Sequence, residues 1–272
     1  MGVLRLFRYY LNKYDLRNFT SILKNGETTK IQPDVLLLDA NAIFHPCCRE
    51  IYEPESTKRF LRPTKLPDPE TLKLRAFENI AKKIESLVKI SNPKRCVYIA
   101  VDGSPGAAKG VHQQARRYVG GMNRVKSGDL TKFDFASITP GTQFMDDLDT
   151  YLSNWFESKS KGDWSHLKIV FNGVKLPGEG EHKLIIWIKN NPRYKSFCVY
   201  SPDADLLMLC MLLEQRNLTV LRENIYNDVS GDYIIVLIDK LKQLICNELS
   251  TVEYKRLEYA TANNIPLYSL GN

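Results

Sequence analysis

Short, largely apolar runs alternate along this chain with longer stretches whose apolar residues recur every three or four positions. The runs Val35 to Leu38 and Cys96 to Val101 have the near-continuous apolar character of strands buried on both faces, as in a parallel sheet, and Leu167 to Phe171 and Phe197 to Tyr200 read as a third and a fourth strand. Between them, Phe77, Ile80, Ile84 and Leu87 are spaced by three and four, with Pro93 closing the stretch, which predicts a helix. Phe144 to Phe156, Leu184 to Ile188 and Leu206 to Leu213 also read as helices, and Leu4, Leu6, Phe7, Tyr10 and Leu11 as a short amphipathic one. Residues 50–70, with four prolines, read as a surface loop, and residues 120–134 as a polar connection. This alternation argues for an α/β fold with a doubly wound, mostly parallel sheet flanked by helices, a single domain over residues 1–249. Residues 250–272 form a tail with no clear period and no assigned function.

In such sheets the ligand sits beyond the carboxyl ends of the strands. Asp39, Asp102 and Asp203 each follow a predicted strand at once, Asp205 comes two residues after Asp203, and Glu179 and Glu181 lie on the loop Leu176-Pro177-Gly178-Glu179-Gly180-Glu181-His182-Lys183 after the third strand. The glycines there let the backbone turn tightly enough to aim both glutamates inward. Carboxylates gathered on one edge repel unless cations neutralise them. Their oxygens are hard ligands suited to Mg²⁺ or Mn²⁺, and the absence of a Cys/His set argues against zinc. Six acids suffice for two ions, and the chemistry that follows is in-line attack of water on a phosphodiester, one ion helping the nucleophile and the other the leaving oxygen. Helix capping explains any one of these acids. It does not require acid pairs on the same edge.

Lys109, Gln113, Arg116 and Arg117 fall at i, i+4, i+7 and i+8, within an arc of about 100° on a helix. That face is suited to a terminal phosphate, and equally to plain solvation. His45 is placed to stack on a base, act on a phosphate, or serve as a structural histidine. His182 reads as support for its loop, and Trp155, Trp164 and Trp187 as core.

Composition sharpens this in one direction. The chain of 272 residues carries 38 Lys and Arg against 31 Asp and Glu, net +7. With several acids clustered, the remaining surface is more basic than the net figure, which favours polyanions. Six cysteines without a CxxC pair read as buried reduced thiols. The N-terminus has no signal-peptide core, and no run of about 20 apolar residues is present to span a bilayer. The expectation is a soluble cytoplasmic protein, the nucleus left open, with no membrane partner.

Asp39 to His45, the Val101-Asp102-Gly103 turn with Lys109, Gln113, Arg116 and Arg117, Ile138 to Thr142, Pro177 to Lys183 and Asp203 to Leu206 together resemble the N-terminal nuclease region of XRN-type 5′→3′ exoribonucleases. The likeness covers most of residues 1–245. It implies a PIN-like fold shared with flap endonucleases, two Mg²⁺ or Mn²⁺ ions, and stepwise removal of nucleotides from single-stranded RNA bearing a 5′ monophosphate. By position, Asp39, Asp102, Glu179, Glu181, Asp203 and Asp205 would be the catalytic metal ligands. Lys109, Gln113, Arg116 and Arg117 would hold the 5′ phosphate, with Asn41 and His45 on the substrate and His45 stacked on the first base. Three departures stand out: Leu4 replaces the family's usual proline, the loop from Arg117 to Ile138 is short, and the family's further aspartate, in a Gly-Asn-Asp-Phe setting, has no counterpart up to Asn272. Asp232, in Ser230-Gly231-Asp232-Tyr233, is the candidate substitute. The alternatives are a flap-type or DNA-directed nuclease with the same metals, and an RNA-binding module without a complete second metal site.

Overall fold

The computed structural model describes residues 6–24, 26–53, 68–104, 110–111, 115, 118–119, 121–122, 133–214, 217–224 and 232–262, with the side chains of the last helix described to residue 251. The basic set Lys109, Gln113, Arg116 and Arg117 lies outside the described residues, as do most of the expected loop at 50–70 and connection at 120–134.

Seven strands form one sheet in the order β1-β7-β6-β5-β2-β3-β4: β1 Thr20–Leu23, β2 Val35–Asp39, β3 Cys96–Ala100, β4 Lys168–Asn172, β5 Phe197–Tyr200, β6 Leu218–Glu223 and β7 Tyr233–Leu237. The five strands from β6 to β4 are mutually parallel, whereas β7 runs antiparallel to both β6 and β1. The helices are α1 Leu6–Lys13, α2 Asn41–Tyr52, α3 Pro69–Ser91, α4 Gln143–Lys161, α5 Gly180–Asn190, α6 Ala204–Met211 and α7 Ile238–Ala262.

Strand alternation divides the core. Leu36, Leu38, Val97, Ile99, Cys198 and Tyr200 face one layer, built on α2, α3 and α4 through residues such as Phe44, Ile80 and Leu148. Val35, Leu37, Cys96, Tyr98, Phe197 and Val199 face the other, where Phe7 of α1, Leu184 and Ile188 of α5, Leu206 of α6 and Leu241 of α7 cover them. Strands apolar at every position are what two covered faces demand, because each successive side chain points into a different core. Local chemistry sets the helix ends. Asp68 caps α3 by accepting the Glu70 and Thr71 N–H groups at 3.0 Å, Pro69 opens it, and left-handed Asn92 (φ 45°) closes it before Pro93.

The predicted strands and helices are present, and the structure adds α2, β1, β6, β7 and α7. The last of these helices runs from Ile238 to Ala262, through the position where the sequence suggested a tail. Because β1 pairs with β7, residues 20–23 and 233–236 belong to one hydrogen-bonded sheet. Among the cysteines, Cys246 is exposed and the other five are buried. Trp164 is buried, while Trp155 and Trp187 are partly buried against the two cores. Among the described residues, no helix is long and apolar enough to cross a membrane.

Candidate metal centre

The chain leaves β2 toward β3 on one side and reaches β5 on the other, so the strand order reverses at β2. That reversal opens a crevice at the carboxyl edge, the place where open α/β sheets bind ligands. Asp39 is the last residue of β2, Asp102 stands two residues past β3, and Asp203 three past β5. Glu179 ends the loop that the glycine context suggested, whereas Glu181 is already helical. Helix α5 begins at Gly180, so Glu179 occupies its N-cap position and Glu181 its first turn. Asp203 and Asp205 stand in the same relation to α6.

Asp39 and Asp102 converge on Gly180. A Cβ at that glycine would lie 3.3 Å from Oδ1 of each and 3.2 Å from the Ala100 carbonyl oxygen. The two carboxylate oxygens are therefore at most twice 3.3 Å apart. Gly180 is buried and its N–H donates to Asp102 Oδ1 at 2.6 Å. On the other side, the Ser201 hydroxyl donates to Asp39 Oδ2 at 3.3 Å and accepts the Asp203 N–H at 3.2 Å, linking the β2 and β5 edges. Neither Glu179 nor Asp203 uses its side chain to cap the helix it precedes. Capping thus fails as the reason for these two acids.

Asp39 is only 8% exposed. Burial, reinforced by Asp102, Asp203 and Glu181 and opposed by the Ser201 hydrogen bond, pushes its carboxyl up to about 7. Four of the six predicted acids are therefore close enough to act on one another. Glu179 joins through Glu181: ligand atoms of Glu179, Glu181 and His182 lie within 4.8 Å of one another, with His182 Nδ1 3.5 Å from Glu179 Oε2. His182, expected only to support its loop, thus offers a donor beside the two glutamates. Asp205, half-buried on the first turn of α6, shares the edge. An all-oxygen set that electrostatically resists ionisation fits a hard divalent ion, which removes the repulsion as it binds.

Two further predicted residues lie on α2, one turn apart and on one helical face. Asn41 Oδ1 accepts the Asp102 N–H at 2.9 Å, so this side chain fixes the Asp102 turn. His45 is exposed, and its imidazole is held below the ordinary value by partial desolvation and by Arg49, while Asp102 pulls the other way. Asp232 sits at the carboxyl end of β6, its carbonyl accepting the Asn224 N–H at 2.8 Å. That is the correct edge, but β7 is three strands from β2, about 14 Å at the usual strand spacing.

The sequence reading gave no role to the residues that brace these acids. Lys183 is buried, and its ammonium donates to the carbonyls of Val101 and Leu176, each at 2.7 Å. It ties the turn that carries Asp102 to the turn that leads into Glu179. Burial lowers its pKa, while Asp102 and Asp149 oppose that shift. Arg222, on β6, donates to the Pro202 carbonyl at 2.6 Å and lies 4.0 Å over the Phe7 ring, so the Asp203 loop rests on a buried guanidinium. The sequence signal was a charged residue inside an apolar strand run, Leu218 to Glu223. Replacing Lys183 with Met is expected to destabilise the protein by about 2 kcal/mol, since two carbonyls lose a charged donor. Urea unfolding of the two proteins checks this, and equal midpoints would show that the tie contributes nothing.

The alternating α/β sheet gathers mutually repelling carboxylates at its switch point, a set that could hold a divalent cation. The family model described as the XRN 5′-3′ exonuclease N-terminus matches residues 1–224, and the chain belongs to that family. It is 34% identical over 245 residues to 5′-3′ exoribonuclease 1 of Saccharomyces cerevisiae, covering 83% of this chain and 15% of the relative. It is 30% identical over 243 residues to 5′-3′ exoribonuclease 1 of Schizosaccharomyces pombe, covering 83% and 17%. With 5′-3′ exoribonuclease 2 of Cryptococcus neoformans it shares 29% over 263 residues, covering 85% and 22%. The chain thus spans between about a seventh and a quarter of the length of these curated relatives. A solved structure of the T5 D15 protein co-crystallised with metal ions aligns at TM-score 0.34 and 11% identity, covering 69% of this chain and 53% of that one.

Proposed function

We propose that this chain forms the nuclease site of a Mg²⁺-dependent 5′→3′ exoribonuclease acting on single-stranded RNA with a 5′ monophosphate, residues 1–249 being its nuclease domain. The observation that carries the reading is the meeting of Asp39 and Asp102 at Gly180, with Asp203 and Glu181 adding their charge to Asp39. Such a set is costly unless cations occupy it. Asp39, Asp102, Glu179, Glu181, Asp203 and Asp205 would hold two Mg²⁺ or Mn²⁺ ions. When bound, those ions would supply charge stabilisation for an in-line displacement at phosphorus and help activate the water.

The protein's own groups orient the rest. Gly180 and Asn41 fix Asp102 through its carboxylate and its N–H, respectively. Ser201 joins Asp39 to the Asp203 backbone, so that the β2 and β5 acids move together. His45 on the exposed face of α2 would stack on the first base, and Lys109, Gln113, Arg116 and Arg117 would grip the 5′ phosphate, a role that the family likeness implies together with the exclusion of a triphosphate or cap. The names of the relatives support an exoribonuclease; the phosphate specificity and the number of ions belong to the proposal.

Incubation with Mg²⁺ and end-labelled strands is expected to release mononucleotides from 5′-phosphate RNA faster than from 5′-hydroxyl or 5′-triphosphate RNA. Equal rates on the three would remove the phosphate pocket, cleavage of branched DNA alone would make this a flap-type nuclease, and binding without turnover would make it an RNA-binding module. Asp203→Ala combined with Asp205→Ala is expected to lower cleavage at least 10³-fold, the scale of losing groups that act on the transition state, with an unchanged circular dichroism spectrum. Undiminished cleavage would refute their role.

A further inference from the structure

The opposite edge of the sheet is as basic as the carboxyl edge is acidic. Lys94 and Arg95 precede β3, Lys168 opens β4, and Arg193 and Lys195 precede β5. Backbone bonds hold these segments side by side. Lys168 N–H donates to the Arg95 carbonyl at 2.9 Å, Lys94 N–H to the Pro33 carbonyl at 2.9 Å, and Lys195 N–H to the Asp34 carboxylate at 2.7 Å. The Arg95 guanidinium donates to the Arg193 carbonyl at 3.4 Å. All five side chains are exposed, and among the described residues none of them forms an ion pair. Asp34 is the acid in their midst, with one carboxylate oxygen bound to the Lys195 backbone.

Two of these cations are pre-ordered. Arg95 and Arg193 lie over the ring of buried Tyr194, their guanidinium carbons 4.7 and 5.1 Å from its centroid. Stacking of this kind reduces the entropy lost when a guanidinium fork meets a phosphate. Their fields converge: at buried Cys96, whose thiol is raised by burial, Lys168, Arg193 and Arg95 all act in the opposite direction. A strand of five residues separates this patch from the acids, about 15 Å. It is a separate surface.

We propose that this amino-edge patch is a second nucleic-acid site, which binds the phosphate backbone of RNA away from the carboxylate edge. The choice of RNA rests on the exoribonuclease reading. An acidic protein segment would also match the charge, but the paired guanidinium groups on an aromatic support suit repeated phosphates, which Arg binds through two parallel hydrogen bonds.

The test is binding of a long fluorescent single-stranded RNA in chelator, where nothing is cleaved, across a salt titration. Lys94→Gln combined with Lys168→Gln and Lys195→Gln is expected to weaken binding about 10-fold and to reduce the slope of log affinity against log salt by about 2, at roughly 0.7 for each phosphate left without its cation. Arg193→Gln, a separate variant, is expected to reduce the slope by a further step of about 0.7. Cleavage of a tetranucleotide with Mg²⁺, too short to reach the patch, is expected to stay at the wild-type rate in the triple variant. Unchanged affinity and slope would overturn the proposal. So would equal loss on the tetranucleotide, or polyglutamate binding tighter than RNA with the same dependence on the three lysines. Absence of cleavage by the wild-type protein would defeat the nuclease reading and leave the binding measurement to decide this one.

Discussion

Asp39→Asn is expected to stabilise the metal-free protein near neutral pH while abolishing its response to divalent ions. Burial and the like charges of Asp102, Asp203 and Glu181 push the Asp39 carboxyl up to about 7, against 3.8 for the unperturbed group. The folded chain therefore holds a proton that the unfolded chain has released. For a group shifted in this direction, stability is greatest below the unfolded value, falls as pH rises from about 4 to about 7, and stays low above it. The loss amounts to a few kcal/mol from this one carboxyl. An asparagine of the same shape carries no charge and keeps an oxygen for the Ser201 hydroxyl.

Melting in chelator between about pH 5 and about pH 8 should thus show a falling midpoint for the wild-type protein and a flatter one for the variant. The two curves should separate by several degrees at the alkaline end. Adding Mn²⁺ should then raise the wild-type midpoint, by an amount equivalent to about 2.7 kcal/mol when the ion is at a hundred times its dissociation constant, and leave the variant nearly unmoved. A variant less stable than wild type at the alkaline end would mean that Asp39 is held by partners that favour its charge, and the cluster would lose its meaning. This pattern of destabilised residues at a functional edge is the expected cost of assembling charges that a ligand later neutralises.

Gly103→Ala is expected to destabilise the fold strongly. A Cβ there would stand 1.8 Å from the Leu176 carbonyl oxygen, 2.8 Å from its carbon and 3.1 Å from Pro177 Cα, all main-chain atoms that no rotamer change can move. The turns must part. That breaks the Gly103 N–H to Gly178 carbonyl bond of 2.8 Å and the Gly178 N–H to Ser104 carbonyl bond of 3.1 Å, and it pulls apart the two carbonyls that share Lys183. Loss of about 3 kcal/mol or more is expected. The affinity for Mn²⁺ should fall with it, by 10-fold to 100-fold, since groups that orient ligands carry effects of that size. Gly121→Ala is the control: this glycine is helical, its Cβ would meet nothing within 4 Å, and stability should change little. Equal midpoints for Gly103→Ala and wild type in urea would show that the two turns are not packed as described.

The amino-edge patch and the carboxyl-edge acids give the sheet opposite charges at its two ends. The five cations of the amino edge are exposed at the strand ends, so they can change without disturbing the apolar interior. That separation is why the charge variants proposed for the lysines are expected to fold normally.

Periodicity alone was enough for the strands from Val35, Cys96, Leu167 and Phe197 and for the helices around Ile80, Leu148, Leu184 and Leu206. A residue buried on both faces of a sheet, or on one stripe of a helix, has no alternative to being apolar, and that constraint is written at fixed intervals. The acids were legible for a related reason. Charged residues directly after buried strands have little structural use, and their order follows from the chain. Other features depended on what lies next to what. Helix α7 carries a weak apolar stripe, and strand β1 is four residues long with Ser21 and Ile22 both exposed, so both take their definition from β7 and the sheet they pack on. The same holds for Lys183, Ser201 and Arg222. Each is an ordinary polar residue in sequence, and each acquires its role only when distant turns approach it closely enough for one hydrogen bond. The sequence by itself determined the alternating sheet and the set of acids at its carboxyl edge, because burial and charge act residue by residue. Only the tertiary structure decided that Asp39 and Asp102 meet at Gly180 and that α5 starts between the two glutamates. Separations between chain-distant groups are fixed by packing, which local patterns do not encode.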